Sequence, residues 1–470
     1  MLTRLEAHGF KNLLNFRIDF GPFTCLAGPN GVGKSNIFDA IRFLSLLADH
    51  PIMETALTVR GSDPETSDLR ELFWTDGRDR LDEFRIGAEM IVEPDVADDF
   101  GRDGHASSTY LRYEVAIGYE PPAGRGHLGR LALRSEKLSY LTQGEAVQRI
   151  RFPHSARRFR NHVVRNRRRT KSGYISTHQA PDGQIEILVH QDGGSSGNSK
   201  AHAASAPRTI IATSNTAATP TILAARREMQ RWRVLALEPS AMRRTDRFHS
   251  DPHIDTRGNH LPATLFRLAS DTESHGDPEK LYARITARLA ELVPISDLHV
   301  DVDEVRQLLS LRVRENDGTV LPAHSLSDGT LRFLTLCILH EDSSCRGLVC
   351  MEEPENGIHP ARMEAMVTLL RDFPVNPEEP PGTENPFRQL IVATHSPFFV
   401  QLQKREDLLF ATEARVRGPS GRPASALRCR ALANTWRTAG ISDRGVGRGV
   451  VLDYLEVPPG VQTPLRFNDD

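Results

Sequence analysis

The stretch Leu326-Ser327-Asp328-Gly329-Thr330 decides the fold of this chain, together with the apolar run 348–351 that follows it and ends in Glu352 and Glu353. Near the other end stands Gly28-Pro29-Asn30-Gly31-Val32-Gly33-Lys34-Ser35, a complete G-x-x-x-x-G-K-S phosphate loop. A phosphate loop alone indicates only that a nucleotide is bound. An L-S-x-G segment beside a second acidic motif indicates that the nucleotide is shared between two copies of the domain.

The phosphate loop has the sequence context that its chemistry needs. A short apolar strand, 23–27, ends at the loop, and the loop backbone can turn with its N–H groups toward phosphate oxygens. We expect Lys34 to reach the β- and γ-phosphates of ATP and Ser35 to offer its hydroxyl to Mg²⁺, with Asn36 beside them. Apolar residues then recur at helical spacing, at Ile37, Ala40, Ile41, Leu44 and Leu47.

The acidic pair ends a second predicted buried strand, which places both side chains at the edge of the sheet where ligands collect. We expect Glu352 to hold the hydration shell of Mg²⁺ and Glu353 to orient or deprotonate the attacking water. A third apolar strand, 389–394, ends in His395, which we interpret as a sensor of the γ-phosphate. Acidic strand ends are also common on surfaces, and a lone histidine is often a core residue.

These motifs resemble the ABC-type ATPase heads of the RecF, SMC and OLD families. The resemblance covers residues 1–50 and about 225–410, and it is most similar to the RecF/OLD branch of small bacterial AAA-type ATPases. It is carried by the opening Leu5-Glu6-Ala7-His8-Gly9-Phe10-Lys11-Asn12-Leu13, Ile18-Asp19-Phe20, Ser35-Asn36-Ile37-Phe38-Asp39-Ala40-Ile41, Glu352-Glu353-Pro354-Glu355-Asn356-Gly357-Ile358-His359-Pro360 and Thr394-His395-Ser396-Pro397.

The resemblance implies an α/β P-loop NTPase fold of the ABC-type head, with a mixed sheet, flanking helices, an antiparallel β subdomain and a helical or irregular insertion. It also implies Mg²⁺-dependent ATP hydrolysis by a homodimer or higher oligomer. Lys34 and Ser35 of one subunit would face Ser327 and Gly329 of the other across each γ-phosphate. The glutamine that links Mg²⁺ to the lower lobe in such heads is not identifiable, because Gln143 and Gln148 lie in poorly matching sequence.

The predicted head is assembled from two separated parts of the chain. Residues 1–50 supply the phosphate loop, and residues 321–412 supply the signature, the acidic pair and the histidine. Between them we expect an antiparallel β subdomain with a basic and flexible insertion, 51–225, and a helical lobe, 226–320. Residues 413–470 form a C-terminal extension. We expect no coiled-coil arms, because no sustained heptads and no central Cys-x-x-Cys are present.

Composition is typical of a cytoplasmic ATPase. The chain has 470 residues and a formal net charge of −2, which gives no global attraction to nucleic acid. Its five cysteines are unpatterned, which favours apolar core residues in a reducing compartment. We expect neither a signal peptide nor a membrane span, because the N-terminus is polar and no apolar run approaches about 20 residues.

Two intermediate segments have unusual composition. Residues 149–171 contain ten Arg or Lys and no acidic residue, which predicts contacts to the phosphates of duplex DNA, with a solvated basic loop as the alternative. Residues 191–220 are rich in Gly, Ser, Ala, Asn and Thr, which predicts a flexible loop. The candidate nucleic-acid contacts are Arg157, Arg158, Arg160, Arg165, Arg167, Arg168 and Arg169.

Two functions from different classes remain open from the sequence. The first is a DNA-linked ATPase of the RecF/OLD kind, acting in repair or anti-phage defence. The second is an ATPase scaffold that holds and releases a separately encoded effector protein without contacting nucleic acid. A transporter subunit is disfavoured by the segment 355–357 and by the long intervening region. We expect no nuclease activity in the same chain, because no Glu followed by a spaced Asp-x-Asp occurs after residue 416.

Overall fold

The structure, a computed structural model, describes residues 1–59, 68–122, 129–166, 173–181, 183–190, 192, 199–271, 277–439 and 445–446. Its strands are β1 Leu2–His8, β2 Phe16–Asp19, β3 Phe23–Ala27, β4 Glu83–Ile91, β5 Asp95–Ala97, β6 Asp103–His105, β7 Tyr110–Glu120, β8 Arg130–Tyr140, β9 Ile175–Gln179, β10 Ile185–Val189, β11 Ser199–His202, β12 Arg233–Leu235, β13 Asp246–Arg247, β14 Ile295–Asp303, β15 Leu308–Glu315, β16 Val320–Pro322, β17 Gly347–Glu352, β18 Arg388–Thr394, β19 Leu408–Arg417 and β20 Pro423–Ala431.

The helices of the same residues are α1 Lys34–Leu47, α2 Ile52–Val59, α3 Gln143–Arg149, α4 Asn161–Val163, α5 Ile210–Thr213, α6 Pro220–Gln230, α7 Pro239–Met242, α8 Leu261–Ser270, α9 Pro278–Ala290, α10 Asp328–Glu341, α11 Met363–Asp372 and α12 Pro397–Gln401. Short helical turns lie at Leu69–Leu72, Ala156–Arg160, Ala203–Ser205, Ala323–Ser325, Pro360–Arg362 and Arg405–Asp407.

A six-stranded central sheet carries the predicted nucleotide motifs. Its order is β12-β17-β18-β3-β19-β20, with parallel pairing throughout except for the antiparallel edge strand β20. The three middle strands β17, β18 and β3 are almost entirely buried, as expected for parallel strands that are covered on both faces. Parallel strands end at the same edge, so the segments that follow β3, β17 and β18 meet there.

Two hydrophobic cores lie on opposite faces of this sheet. Leu26 and Cys350 point into the first core, with α1, α6 and the large antiparallel sheet. Their neighbours Cys25 and Met351 point into the second core, with α8, α9, α10 and α11. Alternate residues of one strand therefore serve different cores, which explains why these strands are continuous apolar runs.

The large antiparallel sheet has the order β11-β10-β9-β8-β7-β4-β1-β2. Its strands from β4 to β11 fall within 51–225, the segment for which the sequence predicts an antiparallel β subdomain. Its register is continuous from β1 through β4 to β7, apart from one irregularity near Leu2. Hairpin connections favour this local antiparallel pairing, which alternating sequence patterns predict well.

Segment 226–320 differs from the predicted helical lobe. It contains α8 and α9, but also a small antiparallel sheet of β13, β15, β14 and β16. Its strand β12 pairs in parallel with β17 and so belongs to the central sheet. A strand of three residues gives too little periodicity to be predicted, and its partner lies more than a hundred residues away.

The C-terminal boundary at residue 412 also differs from the structure, because it divides β19. This strand continues to Arg417, and β20 pairs with it in a long antiparallel ladder that completes the central sheet. Residues 413–431 of the predicted C-terminal extension are therefore continuous with the central sheet.

The prediction of a flexible loop at 191–220 is wrong for the residues described there. Strand β11 adds to the large sheet, α5 follows at Ile210–Thr213, and Ile211 is fully buried. The carboxylate of Glu136 accepts the N–H groups of Ile210 and Ile211 at 2.6 and 3.0 Å. Two isoleucines and one distant carboxylate therefore order a segment whose composition predicts none of it.

The predicted fold class is confirmed: the chain is an α/β protein with a mixed sheet, flanking helices and an antiparallel β subdomain. Cys25 and Cys350 are buried in strands as predicted, and burial raises the pKa of both thiols. Among the described residues, no helix is long and apolar enough to cross a membrane.

Candidate nucleotide site

The phosphate loop joins the end of β3 to the start of α1. Helix α1 begins at Lys34, directly after Gly33, whose φ of 101° lies in the left-handed region. A Cβ at Gly33 would lie 2.1 Å from the Asn12 Nδ2 atom, so only glycine fits. The Lys34 ammonium donates to the carbonyl oxygens of Gly28 and Pro29 at 2.6 and 2.9 Å. The loop is thereby curled around its own lysine.

The first hairpin braces this loop, a feature that motif analysis did not assign. The Asn12 amide donates to Val32 O at 2.9 Å and accepts from the Asn36 amide at 2.8 Å. Lys11, with a positive φ of 47°, forms an ion pair with Asp39 on α1. In the sequence, Lys11 and Asn12 are marked only by their place within the family resemblance. Their contacts with α1 and with the loop form only in the folded chain.

The acidic pair and the histidine meet at the same edge. Glu352 is the exposed last residue of β17, and His395 follows the last residue of the neighbouring strand β18. Glu353 Oε1 lies 2.6 Å from His395 Nδ1, and its Oε2 accepts from the Asn356 amide at 2.6 Å. Both oxygens of the predicted base are thus held. His395 is exposed rather than part of the core, and it is paired with Glu353.

The electrostatic environment of Lys34 links it to these carboxylates. The residue is 8% exposed, and burial lowers the pKa of its ammonium from the ordinary value. The carboxylates of Glu353, Glu352 and Glu355 oppose that shift, in this order of size. A lysine at a helix N-terminus within electrostatic reach of carboxylates is an arrangement suited to phosphate groups together with a cation.

The donors for a divalent cation are hard oxygens. Ser35, on α1, and Glu352, at the end of β17, are both exposed, and β17 is separated only by β18 from β3, the strand that leads into the phosphate loop. Within the described part of the chain, no cluster of three or more His, Cys, Asp or Glu residues could hold a metal by itself. Two protein oxygens fit Mg²⁺, which keeps several waters and takes further ligands from substrate phosphates.

The signature segment begins helix α10. The hydroxyl of exposed Ser327 accepts the Thr330 N–H at 3.2 Å and caps the helix. The Arg243 guanidinium donates to Leu326 O and to the Asp328 carboxylate at 2.9 and 2.6 Å. Gly329 is packed so tightly that an added Cβ would lie 2.0 Å from Gly357 O. The signature segment is therefore closely packed, and it touches the loop that follows the acidic pair.

The predicted basic segment lies elsewhere. Phe159 is buried and its ring lies 6.4 Å from that of Phe387, which precedes the start of β18. This is the edge of the central sheet opposite to the phosphate loop. Arg158 pairs with Glu379 at 2.5 Å, and Arg165 donates to His162 O at 3.1 Å. Phe152 and Tyr174, which lie in or beside the basic segment, are buried as well.

Charge in this segment is smaller than the sequence indicates. Arg149 pairs with buried Glu89 and Arg151 with Asp19. Exposed Arg157 and partly exposed Arg160 lie on the helical turn at Ala156–Arg160. Arg167, Arg168 and Arg169 lie outside the described residues.

One further candidate is placed by the structure. Gln143 begins α3, and its amide donates to Val164 O at 3.3 Å, within the lobe that carries the basic turn. Gln148 is exposed on the same helix. These contacts do not distinguish either residue as a link to a cation.

Comparison with protein families identifies the site's relatives. A family model described as "AAA domain, putative AbiEii toxin, Type IV TA system" matches residues 131–401. A second model, described as "AAA domain", matches residues 4–55 and includes the phosphate loop.

Two curated proteins match parts of the chain. Structural maintenance of chromosomes protein 1 of Saccharomyces cerevisiae is 28% identical over 149 residues, which are 31% of this chain and 10% of that protein. DNA replication and repair protein RecF of Parabacteroides distasonis is 39% identical over 51 residues, which are 11% of this chain and 14% of that protein. The chain thus spans only a small part of either relative.

Among solved structures, an SMC head bound to the C-winged helix domain of ScpA is 14% identical, with a TM-score of 0.45. The match covers 91% of this chain and 98% of that chain. The resemblance to RecF and SMC ATPases that the motifs predict is confirmed by the family and sequence matches.

Proposed function

The chain belongs to the AAA-domain family whose model matches residues 131–401, and from this membership we propose that it binds ATP and hydrolyses it with Mg²⁺. One observation carries the proposal: the phosphate loop and the Glu353–His395 pair lie at the same edge of the central sheet. In P-loop ATPases, phosphoryl transfer to water depends mainly on positioning and on charge stabilisation, and this edge supplies groups for both.

Each residue has a role that its surroundings suit. Lys34 leaves the carbonyl oxygens of Gly28 and Pro29 and donates to the β- and γ-phosphates. Glu353 orients the attacking water and accepts its proton, while His395, bonded to the same carboxylate, contacts the γ-phosphate. Ser35 and Glu352 would hold Mg²⁺, which would supply neutralisation of phosphate charge.

We extend the proposal to a head-to-head dimer. The N-terminus of α10 carries the exposed Ser327 side chain, and the N-terminus of a helix is suited to an incoming phosphate. Within the described residues, no hydrogen bond links this segment to the phosphate loop of its own chain. A second copy would place its signature over the phosphate loop and complete the site.

The substitution Glu353→Gln tests the reaction. We expect hydrolysis to slow by about 100-fold or more, because a neutral amide cannot accept the proton from water. ATP binding should persist, and light scattering in ATP should show a trapped dimer. Glu364→Gln, an exposed change on α11, is the control. A Glu353→Gln protein with the parent rate would contradict the assigned base, and a monomer in ATP would contradict the dimer.

A DNA-linked role is the first finer proposal. It is supported by the exposed arginines of the turn at Ala156–Arg160 and weakened by the ion pairs of Arg149, Arg151 and Arg158. Arginine contacts to phosphates make affinity fall steeply with salt, by about 0.9 logarithmic units per contact for each tenfold rise. A salt titration of duplex binding should show a flatter slope after Arg157 and Arg165 are replaced by Ala. Equal slopes would remove DNA contact through this segment.

The effector scaffold is the second candidate, and an exposed apolar cluster favours it. At the turn between β14 and β15, Val305 is 95% exposed and Val302 is 39% exposed. Phe248, 46% exposed, lies beside the same turn, because its N–H donates to Gln307 O at 3.2 Å. Val305→Asp should abolish copurification with the product of a neighbouring gene and leave ATP hydrolysis at the parent rate. Unchanged copurification would remove this cluster from the proposal.

A further inference from the structure

Glu355 is a buried carboxyl group beside the candidate catalytic residues. It follows Glu353 by two positions and is 6% exposed. Its Oε1 accepts the hydroxyl proton of Thr394, the fully buried last residue of β18. His395 comes directly after Thr394, so Glu355 contacts the strand end that carries the histidine.

The Thr394 hydroxyl links Glu355 to the turn that carries His395. A hydroxyl has one proton, and in Thr394 it is directed to Glu355. The hydroxyl oxygen therefore accepts the Ser396 N–H, at 2.9 Å, which closes the turn around His395. The Thr394 carbonyl also accepts the Gly28 N–H at 3.3 Å, so the same residue touches the phosphate loop.

Packing alone does not explain a carboxyl group at this position. Glu355 Oε2 is shielded from solvent and has no hydrogen-bond partner among the described residues. A buried polar atom without a partner destabilises the folded state, and an apolar side chain of similar volume would avoid that cost. Burial also raises the pKa of Glu355, and the Thr394 hydrogen bond opposes that shift.

The loop after β17 and the turn after β18 are joined at two levels. In the exposed layer, Glu353 Oε1 meets His395 Nδ1 at 2.6 Å. In the buried layer below, Glu355 holds Thr394. Between the layers, the Glu353 N–H donates to Ala393 O at 2.7 Å. Loss of the buried contact would free the turn and change the distance in the exposed layer.

We propose that Glu355 is a positioning residue for ATP hydrolysis, which acts through the Thr394 hydroxyl to hold His395 against Glu353. The inference rests on the proposed ATPase function. Glu355 does not touch the nucleotide, so it affects the rate of the bound complex rather than binding. An uncharged acceptor at this position should serve as well as the acid.

Four variants test the inference by steady-state kinetics. Glu355→Leu and Thr394→Val each remove the contact, and each should lower kcat at least about tenfold, since small displacements of catalytic groups cost up to about 100-fold. KM for ATP and binding of a fluorescent ATP analogue should stay within about twofold, because the loss is confined to the reacting complex. Glu355→Gln and Thr394→Ser keep an acceptor and a donor, and should retain most of the parent kcat.

The double variant Glu355→Leu/Thr394→Val distinguishes one shared contact from two separate defects. If both residues act through the same hydrogen bond, the kcat of the double variant should be no lower than that of the less active single variant. Additive losses would overturn the inference. If Glu355→Leu does not fold, the comparison of Thr394→Val with Thr394→Ser and of Glu355→Gln with the parent carries the test.

Thr109→Val is the matched control. Thr109 is also fully buried, and its hydroxyl donates to Val163 O at 2.6 Å and accepts the Arg165 N–H at 2.8 Å. We expect this variant to keep the parent kcat. A parent rate in Glu355→Leu and Thr394→Val, or an equal loss in Thr109→Val, would overturn the inference and leave the ATPase proposal intact. A parent protein without ATP hydrolysis would overturn both.

Discussion

Glu353 has an unusual backbone for a charged residue. Its φ of 47° lies in the left-handed region, which costs a non-glycine residue about 1–2 kcal/mol. Such a conformation persists only where surrounding contacts determine it, as they do here through Ala393 O, His395 and Asn356. The left-handed backbone distinguishes Glu353 from its neighbour Glu352, which is the last residue of β17.

Glu136 is a buried carboxyl group whose pKa is shifted by its environment. It is fully buried in β8, and burial raises the pKa of its carboxyl group to about 7. Hydrogen bonds from Ile211, Ile210 and Tyr113 oppose the shift and do not overcome it. In the unfolded chain the same group ionises near its ordinary value of about 4.3.

Replacement of Glu136 by Gln should therefore have a pH-dependent effect on stability. Below about pH 4.5 the carboxyl is protonated in both states, so its ionisation costs nothing. Between about pH 4.5 and 7 only the unfolded state releases the proton, so parent stability falls as pH rises, and above pH 7 the loss is constant. Relative to the parent, Glu136→Gln should gain up to about 3 kcal/mol across this window.

Melting temperatures of parent and Glu136→Gln at pH 5 and pH 8 check this prediction. The exposed Glu54→Gln on α2 serves as the control and should show a small difference at both pH values. A Glu136→Gln difference that is the same at pH 5 and pH 8 would contradict the buried ionisation.

At the scale of elements, the N-terminus of α10 is fitted to the loop after β17. Gly329 faces Gly357, and a Cβ at Gly329 would lie 2.0 Å from Gly357 O and 3.2 Å from Ile358 Cδ1. Gly357 itself has a φ of 82°, which a larger residue rarely adopts. Two glycines thus allow the signature and the acidic loop to share one surface.

Gly329→Ala should destabilise the protein although alanine is the better helix former. Alanine gains about 1 kcal/mol over glycine in a helix, but a backbone clash costs typically about 1–3 kcal/mol. The clash is with a backbone carbonyl group that cannot rotate away, so its cost should exceed the gain in helix propensity. We expect a lower melting temperature and at least about tenfold slower hydrolysis, since the displaced loop carries Glu353.

Gly382→Ala provides the comparison, because no atom lies within 4 Å of an added Cβ there. Equal melting temperatures and rates in Gly329→Ala and the parent would show that the signature and the acidic loop can separate without cost.

At the scale of the whole molecule, the question is whether each ATP site is formed by residues of two subunits. Lys34→Ala should abolish one half of the proposed site, and Ser327→Arg should block the other half. Mixed in equal amounts, the two inactive variants would form heterodimers in half of all dimers by chance, each with one intact site. Hydrolysis should then recover to about a quarter of the parent rate.

The recovered rate should rise with total protein concentration, as association requires. Mixtures of Lys34→Ala with itself at the same concentration are the control. No recovery in the mixed sample, at concentrations where the parent is fully dimeric, would contradict the shared site.

Local sequence was sufficient for the parts of the site that are continuous in the chain. The strand, loop and helix at 23–47 follow one another directly, and the apolar runs before Glu352 and before His395 are typical of buried parallel strands. Parallel strands end at a common edge, so their order along the chain predicts that these motifs meet. The α/β class follows from the same patterns.

Only the tertiary structure decided the contacts between distant segments. Glu355 with Thr394, Asn12 with the phosphate loop and Gly329 with Gly357 each join residues that no local pattern relates. The same holds for the segment at 199–213, which Glu136 orders against its own composition. Such contacts depend on which side chains the folded sheet brings within hydrogen-bond distance, and that distance is set by packing rather than by spacing along the chain.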